Sequence, residues 1–184
     1  MPDRPHRLSP HASHIPLGVS VSASVTRQED GGLALDYRAS APAGALRVPL
    51  LRLAAPADQL WQHTCFELFV AVAGASAYRE FNFSPSRQWA VYDFDAYRQP
   101  SDTAPPRWSA DLRVDPQEDG VTLRVTIPPP LLPDESSALQ IGLSAVLEHA
   151  GEALSYWALR HPAAKPDFHH REGFSLMLPA ACRA

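Results

Sequence analysis

The sequence predicts an all-β fold, a two-sheet antiparallel sandwich of jelly-roll or immunoglobulin-like type with about ten strands and little helix. Three observations predict it. Short runs alternate apolar with polar side chains at period two, which is the mark of half-buried strands. Turn residues separate these runs at regular intervals. Nineteen prolines against nine glycines are scattered through the chain, and no long stretch repeats at the helical period. Proline lacks a backbone N–H and breaks helix interiors, so this spread argues against a bundle.

The elements follow in order. Residues 1–16, rich in Pro, His and Arg, read as a flexible N-terminal arm, and 17–184 as one domain. Alternation over 17–27 marks the first strand. Asp30-Gly31-Gly32 then turns the chain into Leu33, Leu35 and Tyr37, a hairpin. An apolar run covers 46–53, and 56–60 has the length of one helical turn. Strands resume at 64–72, 78–83 and 89–94, and 98–106 is a polar, proline-bearing loop. Runs 108–114 and 121–127 flank an acidic turn at 115–120 and form a second hairpin. Pro128-Pro129-Pro130 cannot lie inside a central strand, because three ladder donors would be missing. Strands at 139–148, 154–159 and 174–178 complete the set.

Composition limits function. The net charge of -4, with acids and bases interspersed, provides no basic footprint for nucleic acid or an anionic membrane. Cys65 and Cys182 form neither a disulfide framework nor a C-x-x-C pair. No apolar run is long enough to span a bilayer, and residues 1–16 lack the apolar centre of a secretory signal. The expected compartment is the cytoplasm.

Chemistry concentrates in two segments. In the first, residues 63–95, Thr64, Phe66, Leu68 and Val70 share one strand face, while His63, Cys65, Glu67 and Phe69 share the other. In the next strand Arg79, Phe81 and Phe83 oppose Tyr78, Glu80 and Asn82. A hairpin between the two strands brings Glu67 near Glu80 or Asn82, carboxylate and amide groups suited to hydroxyl recognition. The plainer alternative is that this polar face meets solvent.

In the second segment, residues 154–174, Trp157 precedes a proline-rich loop carrying Arg160, His161, Lys165, Asp167, His169 and His170. A large aromatic beside polar groups grips a planar sugar ring, though Trp157 and Phe168 could equally be core aromatics. No metal site is expected: His63 with Glu67 lacks a ligand spacing, and extended His169 and His170 point apart. Cys65 beside His63 lacks a demonstrable base and oxyanion hole, so no catalytic residue is assigned and no cofactor is expected.

The runs Leu60-Trp61-Gln62-His63-Thr64-Cys65-Phe66-Glu67-Leu68-Phe69, Tyr78-Arg79-Glu80-Phe81-Asn82-Phe83-Ser84-Pro85 and Tyr156-Trp157-Ala158 resemble the DOMON-like superfamily. Within it the chain looks like the bacterial DOMON-like proteins related to family 9 carbohydrate-binding modules. The resemblance covers about residues 19–178 and implies a jelly-roll-like sandwich that binds a saccharide between two tryptophans. Carried onto this sequence, those tryptophans are Trp157 and Trp61. Glu67 falls at the strand carboxylate of the motif and Asn82 lies in the matching hairpin. The chain departs from the pattern at His63, where many sugar-binding relatives have an acidic residue.

The expected ligand set is therefore Trp157, Trp61, Glu67, His63, Asn82, Glu80 and Arg160, and the expected partner a small molecule of saccharide type. Three alternatives stand beside it. A haem-binding branch of the superfamily would use Met177 with His161, His169 or His170. Glu67 and Glu80 could act as the acid–base pair of a glycan-acting enzyme. An exposed sheet edge could serve a protein-interaction scaffold.

Overall fold

The computed structural model describes residues 4–13, 16–103, 107–134 and 136–180. Strands β1 (His6–Pro10), β2 (Ser20–Arg27) and β3 (Leu33–Ser40) open the chain. The hairpin at Asp30-Gly31-Gly32 forms, in register from Ser20 opposite Ser40 to Arg27 opposite Leu33. Asp30 Oδ1 accepts from the Gly32 amide at 2.8 Å, so a side chain closes the turn. Strands β4 (Ala55–Pro56), β5 (Cys65–Val72), β6 (Tyr78–Phe83), β7 (Gln88–Ala96) and β8 (Gln99–Pro100) follow. The remainder are β9 (Arg113–Gln117), β10 (Gly120–Ile127), β11 (Leu139–Glu148), β12 (Leu154–Ala158) and β13 (Leu176–Leu178).

These thirteen strands form one continuous sheet among the described residues, in the order β4-β7-β6-β5-β11-β12-β1-β2-β3-β10-β9. β13 pairs with β11 and β8 with β7. No helix there is long and apolar enough to cross a membrane.

One expectation is corrected at β1. Residues His6–Pro10 are a strand rather than part of a loose arm, paired antiparallel with β2 on one side and β12 on the other. The same strand joins the halves of the sheet, so they are not separate hydrogen-bonded units. Composition could not reveal this, because the stabilisation comes from two strand edges that exist only in the folded chain. Leu8, 1% exposed, anchors the strand.

The apolar run 46–53 makes a bridge from Leu46 to His149, with Leu50 and Leu53 86% and 90% exposed. Two local expectations also differ. The helical turn is a 3-10 turn at Leu60–Gln62 rather than over 56–60. The second hairpin turns at Glu118 and Asp119, with β9 running into the segment expected to be turn. Its closing residue must be glycine. Gly120 has φ 146° and a Cβ there would lie 2.0 Å from the Ala39 carbonyl oxygen.

The sheet curls over its main core. Val21, Val25, Leu35 and Leu123 from one half pack with Phe66, Leu68, Phe81, Phe83 and Leu143 from the other. Tyr37 of β3 stacks on Phe66 of β5 with centroids 5.0 Å apart, and its hydroxyl donates to the Glu67 carbonyl at 2.6 Å. The buried phenol thus finds its one partner in the backbone strand that carries the site.

Candidate functional site

Alternation in β5 and β6 sends Phe66, Leu68, Val70, Phe81 and Phe83 into the core. Cys65, Glu67, Phe69, Tyr78, Glu80 and Asn82 point the other way. That second face is not wet. Glu67 is 3% exposed, Glu80 5% and Asn82 0%. The connection from β12 to β13 covers it with Phe168, His169 and Phe174. Phe174 lies 5.3 Å and His169 5.4 Å from the Phe69 ring, and Tyr78 stacks on Phe94 at 4.8 Å. Gly142 of β11 permits the approach, since a Cβ there would sit 2.9 Å from Phe174 Cδ1.

Beside this cover the sheet face opens into a cleft of about 630 Å3. Its walls are mostly apolar: Trp61, Tyr92, Phe94, Val146, Tyr156 and Phe168. Gln62, Glu67, Glu80, Arg98 and His169 supply its polar groups. Trp61 stands edge-on to Tyr92, whose hydroxyl donates to Asp58.

The polar groups are linked. Glu67 is opposite Asn82 in the β5–β6 register. Asn82 Nδ2 donates to Glu80 Oε1 at 2.8 Å, and Ser144 Oγ donates to Glu67 Oε2 at 3.2 Å. His169 Nε2 is 3.7 Å from Glu80 Oε2, while its Nδ1 is 2.8 Å from the Tyr78 hydroxyl. Asp167 accepts from Tyr97, from Arg98 Nη2 at 2.9 Å and from the His169 amide at 3.2 Å.

Burial sets the protonation of this cluster. It holds the Glu67 carboxyl well above the ordinary carboxylate range, and the neighbouring Glu80 charge adds to the effect. Burial raises Glu80 to about 7, against the opposing pull of the Asn82 bond and Arg98. His169 is lowered to about 4, first by burial and then by Arg98. Near neutral pH the carboxyl pair therefore retains a proton and the imidazole stays neutral.

The structure distributes the expected ligand residues unevenly. Trp61 (40% exposed), Glu67 and Glu80 line the cleft, and Asn82 lies behind Glu80. Trp157 requires correction. It is 2% exposed, packs in the core, and donates its Nε1–H to Ser155 Oγ at 2.9 Å. Its strand neighbour Tyr156 is the residue that faces the cleft.

His63 and Arg160 stand outside the lining. His63 Nδ1 bonds Glu148 Oε2 at 2.8 Å, and Arg160 pairs with Glu172 at 3.0 Å. Cys65 is fully buried with its thiol pushed up by burial, unlike an activated nucleophile. Met177 is 49% exposed and does not line the cleft. Cys182 lies outside the described residues.

Tyr92, Phe94, Arg98, Tyr156, Phe168 and His169 were not singled out as a set by sequence. Tyr92 and Phe94 do alternate along β7, and Tyr156 occupies the face opposite Trp157. Those signals identify shared faces, but not the cleft that unites them.

No protein-family model matches the chain, and no curated protein is detectably similar in sequence. Solved structures do share its fold. One is a candidate carbohydrate-binding protein from Bacteroides uniformis, with TM-score 0.62 and 15% identity over 92% of this chain and 82% of that one. Another is a family 9 carbohydrate-binding module from Caldicellulosiruptor kristjanssonii in complex with cellotriose, with TM-score 0.56 and 9% identity over 85% and 72%. A glucose complex of a family 9 module from the same organism gives TM-score 0.52 and 9% identity over 82% and 73%.

Proposed function

We propose that the cleft binds a saccharide without transforming it. The observation that carries this is the composition of the cleft: a buried carboxyl–amide cluster at its floor and aromatic side chains around it. Aromatic faces cover the C–H surface of a sugar ring, while carboxyl and amide groups read its hydroxyls. Trp61, Tyr156 and Phe168 are assigned the first role, and Glu67 and Glu80 the second. The two halves of the curled sheet are interpreted as facing layers of a DOMON-like, jelly-roll sandwich. Likeness to modules solved with cellotriose and glucose supports that interpretation.

Calorimetric titration with cellotriose and glucose tests the proposal. Binding should weaken at least about tenfold in Tyr156→Ala and Trp61→Ala, with folding retained. Trp157→Ala should instead cost stability, about 3–5 kcal/mol, because it empties core volume. Wild-type protein that binds neither sugar, or cleft variants that bind as tightly as wild type, would sink the proposal.

A glycan-acting enzyme is the second reading, favoured by Glu80 being held at about 7, where a carboxyl can serve as general acid. It predicts turnover of an oligosaccharide that Glu80→Gln abolishes. Saturable binding with no product formed would decide against it.

A further inference from the structure

The cleft floor holds more hydrogen-bond acceptors than the chain answers. Glu67 and Glu80 sit on adjacent strands with their side chains on one face, and both line the cleft. Asn82 is opposite Glu67 and fully buried. Its NH2 group is bonded to Glu80, and its Oδ1 is buried without a partner. Ser144 supplies one donor to Glu67. Two carboxyl groups of one cluster thus retain acceptor capacity beside an open cleft, with the Asn82 carbonyl buried behind Glu80.

Nearby cations do not balance the carboxyls. Arg98 lines the cleft, but its Nη2 is 2.9 Å from Asp167 Oδ1, so its charge is already matched. His169, 3.7 Å from Glu80, bonds Tyr78 through its other ring nitrogen and is buried in conditions that disfavour imidazolium. Tyr78 and Ser144 are neutral. The facing groups on β5, β6, β11, the β7–β8 turn and the β12–β13 connection therefore leave the floor one negative charge, the carboxyl pair retaining one proton.

A sugar hydroxyl both donates and accepts, and it has no special need of such a floor. An ammonium has three donors, no acceptor and a positive charge, which fits a carboxyl pair that keeps one negative charge and unused acceptor oxygens. Aromatic walls favour the same ligand, because ring faces attract a cation. We propose that the cleft selects a saccharide bearing a protonated amine, an amino sugar whose ammonium rests on Glu67 and Glu80. The inference builds on the saccharide proposal above and names the class of sugar.

The test compares glucosamine, N-acetylglucosamine and glucose by calorimetry at near-neutral pH on the wild-type protein. All three share the ring, and acetylation removes the charge and donors of the amine. Glucosamine should bind at least about tenfold more tightly than either neutral sugar. In Glu80→Gln and Glu67→Gln the ratio of glucosamine to glucose affinity should shrink several-fold. Circular dichroism checks that the variants fold, and the wild-type comparison decides the question without them. Glucose binding as tightly as glucosamine would overturn the amine inference and leave the saccharide proposal standing. Binding of none of the three sugars would overturn both.

Discussion

The halves of the sheet obey the same alternation and end in different environments. In β3, burial alternates strictly up to Ala39: Leu33, Leu35, Tyr37 and Ala39 are buried and the residues between them are not. The outward side carries an ordinary solvated pair, Arg124 with Asp36 at 2.6 Å. In β5 every residue but Val72 is buried, and in β11 every residue but Gln140. The difference lies in what covers the second face. Water covers it on β3, whereas on β5 and β6 the β12–β13 connection and the cleft aromatics do. Polar residues at equivalent pattern positions are therefore solvated in one half. In the other they are desolvated, bonded to one another and shifted in pKa.

Removing what the halves share should have the largest effect. Phe66→Ala takes the ring from beneath Tyr37 and should cost about 3–5 kcal/mol in denaturant unfolding. A loss of under about 1 kcal/mol would show that the halves do not share one core.

Gly142→Ala presses a methyl group against Phe174 and should cost about 2 kcal/mol. It should also weaken saccharide binding, since the displaced segment carries Phe168 and His169. Unchanged melting and unchanged affinity together would mean that the cover does not hold the cleft.

Glu80 provides a smaller, pH-dependent effect. Its folded pKa of about 7 lies above the ordinary 4.5, so the folded protein holds this proton more tightly than the unfolded chain. The Glu80 contribution to stability should fall as pH rises from 4.5 to about 7 and level off above. Glu80→Gln should remove roughly 1–2 kcal/mol of that fall, because Glu67 takes up part of the proton binding. Parallel stability–pH curves for variant and wild type would contradict the buried-pair description. The smallest change is expected on the wet face, where Ser22→Ala should stay within about 0.5 kcal/mol at any of these pH values.

Much of the fold was legible in the sequence because strand formation is signalled locally. The strands at 78–83 and 139–148 end where alternation and turn residues place them. The opposition of Phe66, Leu68 and Val70 to Cys65, Glu67 and Phe69 follows from period two alone. Trp157 shows where this form of inference stops. Alternation separates Trp157 from Tyr156 but does not say which of them faces inward, and size and aromaticity suit both environments. The core took the indole and the cleft took the phenol. His6–Pro10 shows the other limit, a polar segment ordered by strand edges far away in sequence.

The sequence by itself determined that this chain is all-β, which residues share a face, and that carboxyl and amide groups gather on one strand pair. Only the tertiary structure decided that this face is covered, that Tyr92, Phe94, Tyr156, Phe168 and His169 meet Glu67 and Glu80 there, and that β1 joins the halves. The physical reason is range. Strand pattern is set between neighbouring residues, whereas burial, desolvation and pKa depend on what the rest of the chain lays over them.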